Sequence, residues 1–180
     1  MSHYLRAICF DSGDTIIDEA TEIKNEAEET QRAELIPGAG EVLHELKRRG
    51  YALALVADGP IATFRNSLGQ HGLYDLFDAR AISGEVGVSK PDARMFRHAL
   101  DQLGIDRDEY GRVLMVGNHL GRDIKGANQL GLISVWLNWS PRRSKIPADD
   151  TEVPQHTITT PQELFAVIES LENTHKENAQ

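Results

Sequence analysis

The chain has 180 residues, 40% hydrophobic and 26% charged, with a formal net charge of -9. That composition suits one globular domain with a single substantial core, and the negative balance argues against non-specific nucleic-acid binding and against an anionic membrane surface. No apolar run approaches the roughly 20 residues of a membrane span, no basic leader followed by an apolar core opens the chain, and the only cysteine, Cys9, has no internal disulfide partner, so the expected location is the cytoplasm.

The first apolar run, residues 4–10, reads as a strand with Cys9 as a buried thiol. It runs directly into Asp11-Ser12-Gly13-Asp14-Thr15. An aspartate leaving a buried strand for a Gly-containing turn is placed as a nucleophile or metal ligand, with turn amides free to hold an anion. Residues 16–36 do not follow the strand–helix rhythm. Segments 21–24 and 30–35 flank the acidic tip Asn25-Glu26-Ala27-Glu28-Glu29, which reads as a β-hairpin projecting from a sheet, with a helix over 26–33 as its rival. The segment carries Asp18, Glu19, Glu22, Glu26, Glu28, Glu29 and Glu34 against Lys24 and Arg32. It reads as a solvated face, or as a surface that repels polyanions or accepts a cationic partner.

Beyond it, helical and strand patterns alternate. A helix over 41–49 places Val42, Leu43 and Leu46 on one face and stops at Gly50. A strand over 52–57 precedes a helix with Pro60 at its first position, carrying Ile61, Phe64 and Leu68 and stopping at Gly72. Further strands are expected at 79–83, 113–117 and 133–137. Between the first two of these lies a helix after Pro91, whose Met95, Phe96, Ala99, Leu100 and Leu103 share a face up to Gly104. The last helix opens on Thr160-Pro161-Gln162-Glu163, a capping box, and residues 173–180 read as a frayed tail. Strands alternating with helices imply an α/β domain spanning 1–180 with a central parallel sheet of about five strands.

In such a sheet, ligands bind beyond the carboxyl ends of the strands. Those ends carry Asp11, then Ala57-Asp58-Gly59, then Ser89-Lys90-Pro91, then Gly117-Asn118-His119 with Asp123. This ordered set, with Gly126-Ala127-Asn128-Gln129-Leu130-Gly131 downstream, resembles the four motifs of the haloacid dehalogenase (HAD) superfamily over nearly the whole chain. The resemblance implies a three-layer Rossmann-like fold with residues 16–36 as a flap or minimal cap, and an open site or a lid supplied by a second subunit. It also implies phosphoryl transfer through an aspartyl-phosphate on Asp11, with Lys90 holding nucleophile and phosphate by charge. Mg²⁺ would be held by Asp11, the Gly13 carbonyl, Asn118 and Asp123, and the phosphate would be received around Ser12, Ala57 and Gly59.

Three positions depart from the family pattern. Gly13 stands where the usual Asp-x-Asp-Gly-Thr has its second acid, Ala57 where motif two has a hydroxyl, and Asn118 where motif four has its first acid. Asp14, Asp58 and His119 are the candidate compensations, as acid, second carboxylate and proton carrier. After the fifth strand, Trp139-Ser140-Pro141-Arg142-Arg143 leaves on the same side. Arg142 and Arg143 are candidates for a second anionic group of the substrate and Trp139 for stacking on a base or sugar, the plainer alternative being a loop that packs its Trp against the edge helix.

The leading expectation is a Mg²⁺-assisted phosphatase of reduced or specialised activity. It would act on a small phosphorylated molecule or on an exposed phosphate of a larger one. Metal-independent cleavage of a carbon–halogen or carbon–phosphorus bond is a second reading. A degraded fold binding a phospholigand or a protein is a third.

Overall fold

The structure is a computed structural model and describes residues 3–178. Its centre is a parallel six-stranded sheet in the order β5-β4-β1-β6-β7-β8. The strands are β1 (Ala7–Phe10), β4 (Leu53–Ala57), β5 (Ala79–Ile82), β6 (Val113–Gly117), β7 (Ile133–Leu137) and β8 (His156–Ile158). Parallel strands are covered on both faces, so they read as unbroken apolar runs. In β1, Ile8 and Phe10 face one core while Ala7 and Cys9 face the other.

The first core is closed by α1 (Ala39–Arg48), α2 (Ile61–Gly69) and α6 (Leu164–Asn178), through residues such as Leu43, Leu68 and Ile168. The opposite core is closed by α4 (Ala93–Gln102) and α5 (Lys125–Leu130), where Phe96, Leu100 and Ala127 pack. The result is an α/β sandwich of three layers. Chain order reverses at β1, with β4 on one side and β6 on the other, so the crevice beyond Phe10 is the place for a ligand.

Several boundaries differ from expectation. The expected strand 4–10 pairs only over Ala7–Phe10, because the Tyr4 and Leu5 amides donate to the Glu172 carboxylate of α6 instead. The sixth strand, β8, was not expected: it is three residues long and follows Pro154. Pro60 is the residue before α2, in extended conformation, rather than its first helical residue. A one-turn helix α3 (Ser83–Val86) follows β5. Residues 173–178, expected as a frayed tail, continue α6, where His175 stacks on Tyr4 at 4.2 Å between ring centres; residues 179–180 lie outside the described residues. Within 16–36 the chain forms an antiparallel pair, β2 (Ile23–Lys24) with β3 (Thr30–Arg32). It is fastened to α2 where Thr63 Oγ1 accepts from the Thr30 amide at 3.1 Å and Asn66 donates to the Thr30 carbonyl at 3.1 Å.

Candidate active site

The strand ends converge as the parallel topology requires. Asp11 follows β1, Asp58 follows β4, Lys90 lies on the loop after α3, and Asn118 follows β6. Asp123 sits in a π-helical turn, Leu120–Ile124, a form that recurs at functional sites. All five line one open cavity of about 380 Å³, walled on its outer side by Glu22, Lys24 and Glu28 of the hairpin segment. Gly117 makes the π turn fit: a Cβ there would overlap the Asp123 carboxylate.

At the floor, Lys90 Nζ donates to Asp11 Oδ1 at 2.7 Å and to the Val56 carbonyl at 2.7 Å. It also stands 2.8 Å from Asp123 Oδ1, a charge contact without hydrogen-bond alignment. The Lys90 side chain is 1% exposed and that of Asp123 0%. Burial disfavours the Lys90 charge, but the Asp11 and Asp123 carboxylates overcome it and hold the ammonium above the ordinary lysine range. Burial and the Asp123 carboxylate push Asp11 upward, while Lys90 opposes both. Two carboxylates share one cation, so the cluster has spare negative charge.

The positions expected to receive a phosphate differ in their placement. Ser12 and Gly59 line the cavity, but the Gly59 amide already donates to Ser83 Oγ at 2.8 Å. Ala57 is fully buried at the end of β4 and is not part of the lining. Asp58 does reach the cavity, where its Oδ1 accepts the Lys90 amide at 3.0 Å and its Oδ2 faces Arg122 at 3.7 Å. Its visible task is to shape the lysine loop. His119 lines the cavity too, with its amide donated to Asp123 Oδ2 at 2.9 Å. Burial, then Arg122 and Arg143, lower its pKa and favour the uncharged ring.

Asp14 is not in the cavity. It is fully buried with φ 51°, and it binds Arg142 and accepts the Glu19 amide at 3.1 Å. Burial opposes its ionisation, but hydrogen bonds from Arg142, Ser140 and the Glu19 amide hold its carboxyl below the usual carboxylate range. Arg142 is therefore engaged by Asp14 and, at 2.9 Å, by Asp18, and it does not face the cavity. Arg143 does, with Nη2 2.5 Å from Glu19 Oε2. Trp139 packs partly buried against the first core, not over the cavity.

Glu19, read from the sequence only as part of an acidic face, proves to be a cavity residue. Burial pushes its pKa above the usual range and Arg143 opposes this, with Asp14, Asp11 and Glu22 reinforcing the rise. The usable sequence signal was Asp18, which caps the short turn Glu19–Thr21 by accepting the Ala20 amide and so folds the acidic segment back toward the Asp11 loop.

The cavity lining beside Asp11 includes the Asp123 carboxylate, the Asn118 side-chain amide and the Gly13 backbone, a set that can offer oxygen donors. Asp123 Oδ1 is buried with no hydrogen-bond partner, and hard oxygen donors fit Mg²⁺. Only two of the donors are charged, and no cluster of three or more His, Cys, Asp or Glu suited to a metal occurs among the described residues. No helix among them is long and apolar enough to cross a membrane.

The sequence profile of the haloacid dehalogenase-like hydrolases matches residues 3–131. A phosphoserine phosphatase of Thermus thermophilus is 37% identical over 137 residues, 76% of this chain and 52% of that protein. A glyceraldehyde 3-phosphate phosphatase of Methanopyrus kandleri is 32% identical over 129 residues, 72% of this chain and 54% of the relative. The chain thus spans about half the length of the curated relatives it matches. Among solved structures, a HAD phosphatase from Thermococcus onnurineus superimposes with a TM-score of 0.75 at 21% identity, covering 91% of this chain and 98% of that one. The chain belongs to the haloacid dehalogenase-like hydrolase family.

Proposed function

We propose that this member of the family is a cytoplasmic phosphomonoester hydrolase that works through an aspartyl-phosphate on Asp11. The observation that carries the reading is the Asp11 carboxylate beside a buried, charged Lys90 on the floor of an open cavity. Asp11 Oδ1 is fixed by Lys90 at 2.7 Å, while Oδ2 accepts the Thr15 hydroxyl at the longer distance of 3.4 Å and is the oxygen that can attack phosphorus. A new oxygen–phosphorus bond forms as the ester bond breaks, and water then cleaves the aspartyl-phosphate to restore the carboxylate. Lys90 neutralises charge on the transferring group, a preorganised donor in a site partly shielded from water. Asp11, Asn118, Asp123 and the Gly13 carbonyl would hold Mg²⁺, which when bound screens the repulsion between carboxylate and phosphate.

The relatives are named for phosphoserine and glyceraldehyde 3-phosphate, which supports a small phosphorylated substrate here. The hairpin residues Glu22, Lys24 and Glu28 wall the cavity, and Asn118 in place of a carboxylate lowers the affinity of the site for the metal. The test is hydrolysis of p-nitrophenyl phosphate with Mg²⁺ by the wild type and by Asp11→Asn. Turnover lost in the variant supports the reading. Turnover that survives it overturns the nucleophile, and metal-independent halide release from chloroacetate would move the chain to carbon–halogen chemistry.

A further inference from the structure

We propose that Glu19 is the proton-transfer carboxylate of this site, occupying the space that a side chain at residue 13 would fill. The inference rests on the Asp11 reading above and adds to it the group that serves the leaving oxygen and the attacking water. A Cβ built on Gly13 would overlap Glu19 Oε1 and stand 2.9 Å from its Cδ and 3.0 Å from its Cγ. Residue 13 is therefore glycine for a steric reason: the carboxylate is already there, delivered from six residues downstream. Glu19 lines the same cavity as Asp11.

Three contacts hold the carboxylate in that place. Arg143 Nη2 fixes Oε2 at 2.5 Å, leaving Oε1 directed at Gly13. The buried Asp14 accepts the Glu19 amide at 3.1 Å, and Asp18 caps the turn by accepting the Ala20 amide at 3.0 Å. Arg142 ties Asp14 to Asp18 and so fastens the loop after β7 to the turn that carries Glu19. Asp14 is thus a positioning residue for Glu19 rather than a displaced acid. The paired change, glycine at 13 and aspartate at 14, clears a space and anchors the group that fills it.

In the first step, Asp11 Oδ2 bonds to phosphorus and the ester P–O pair goes to the leaving oxygen, which takes the proton of the Glu19 carboxylic acid. In the second, the Glu19 carboxylate removes a proton from water as its oxygen bonds to phosphorus. The aspartyl P–O pair returns to Asp11, and phosphate departs. The proton that Glu19 gives up in the first step is regained in the second.

The experiment compares wild type, Asp11→Asn, Glu19→Gln, Glu19→Ala and Gly13→Asp/Glu19→Ala on two esters with Mg²⁺, with thermal melts as the folding control. p-Nitrophenyl phosphate releases a weakly basic phenolate, and glycerol 2-phosphate releases a strongly basic alkoxide. Loss of a positioned acid and base is expected to cost about 10²–10⁴-fold on the glycerol ester. On the nitrophenyl ester Glu19→Gln should instead give a burst of nitrophenolate and an accumulating phosphoenzyme, because the water step has lost its base. Gly13→Asp/Glu19→Ala should regain at least about tenfold over Glu19→Ala, since the restored side chain enters the same space.

Equal losses on both esters without phosphoenzyme accumulation would mark Glu19 as structural and overturn the proposal. So would a Glu19→Gln enzyme within about threefold of wild type on both esters. Turnover insensitive to Asp11→Asn, or no turnover by wild type, would instead remove the Asp11 reading and this inference with it.

Discussion

Lys90→Met removes one charge from the most buried ionic cluster in the site and keeps most of the apolar stem. In the wild type the ammonium lies 2.7 Å from Asp11 Oδ1, 2.8 Å from Asp123 Oδ1 and 2.7 Å from the Val56 carbonyl. Deleting it leaves Asp123, fully buried, and Asp11, 13% exposed at its side chain, facing each other without a cation. Removing one partner of a buried ion pair costs about 3–5 kcal/mol, mostly the penalty of the stranded charge. The upper half of that range does not apply, because Asp11 opens to the cavity and its share is screened by solvent. A loss of about 3–4 kcal/mol corresponds to a fall in Tm on the order of 10 °C for a domain of this size. The assay is urea unfolding in chelator-containing buffer of wild type, Lys90→Met and Lys90→Met/Asp123→Asn. The double variant, which removes the stranded charge, should recover at least about half of the loss. A Lys90→Met protein within about 0.5 kcal/mol of wild type would refute the reasoning, as would a double variant no more stable than the single one.

Cys9 is buried in β1 and burial pushes its thiol up to about 12; at pH 8 it should react with a disulfide reagent only at the rate of global unfolding, and fast labelling of the folded protein would contradict its placement. Asp78 accepts from Lys47 Nζ and from the Leu53 amide; burial opposes ionisation, but these bonds hold its carboxyl below the usual range. Because its folded pKa is depressed, its contribution is present above the ordinary carboxylate pKa and disappears as pH falls through the folded value. Asp78→Asn should therefore cost about 1 kcal/mol at pH 7, a figure kept small by the exposure of the pair, and the gap to wild type should close in acid unfolding curves as pH falls below the ordinary carboxylate range. Phe96 is fully buried between α4 and the sheet with Gly126 against its ring; Phe96→Ala should cost about 3–5 kcal/mol in urea, and a loss under about 1 kcal/mol would mean that the second core collapses around the cavity.

The parallel sheet was legible in the sequence because its strands are apolar on both faces, as Leu53 to Ala57 and Val113 to Gly117 show. β8 was not, since three residues with His156 half-exposed carry no such signal. Asp11, Lys90, Asn118 and Asp123 could be placed together from their positions at strand ends, because a parallel topology leaves those ends no other side on which to meet. Asp14 and Arg142 were misplaced for a local reason. Nearness in sequence to Asp11 suggested the cavity for Asp14, and a loop leaving the fifth strand on the same side suggested it for Arg142, but a backbone at φ 51° turns Asp14 away, and its pairing consumes Arg142. Glu19 was hidden among seven acidic residues of one segment. The fold of the short turn, with Asp18 and Asp14 accepting its amides, is what carries Glu19 to the Asp11 loop.

The most direct test of an Asp11-centred phosphoryl transfer is acid-quench trapping of the protein during turnover of p-nitrophenyl phosphate, followed by mass spectrometry of its peptides. The account predicts a phosphate on the peptide containing Asp11, labile to hydroxylamine and absent from Asp11→Asn. Turnover with that peptide unmodified, or with the phosphate on another residue, would contradict it.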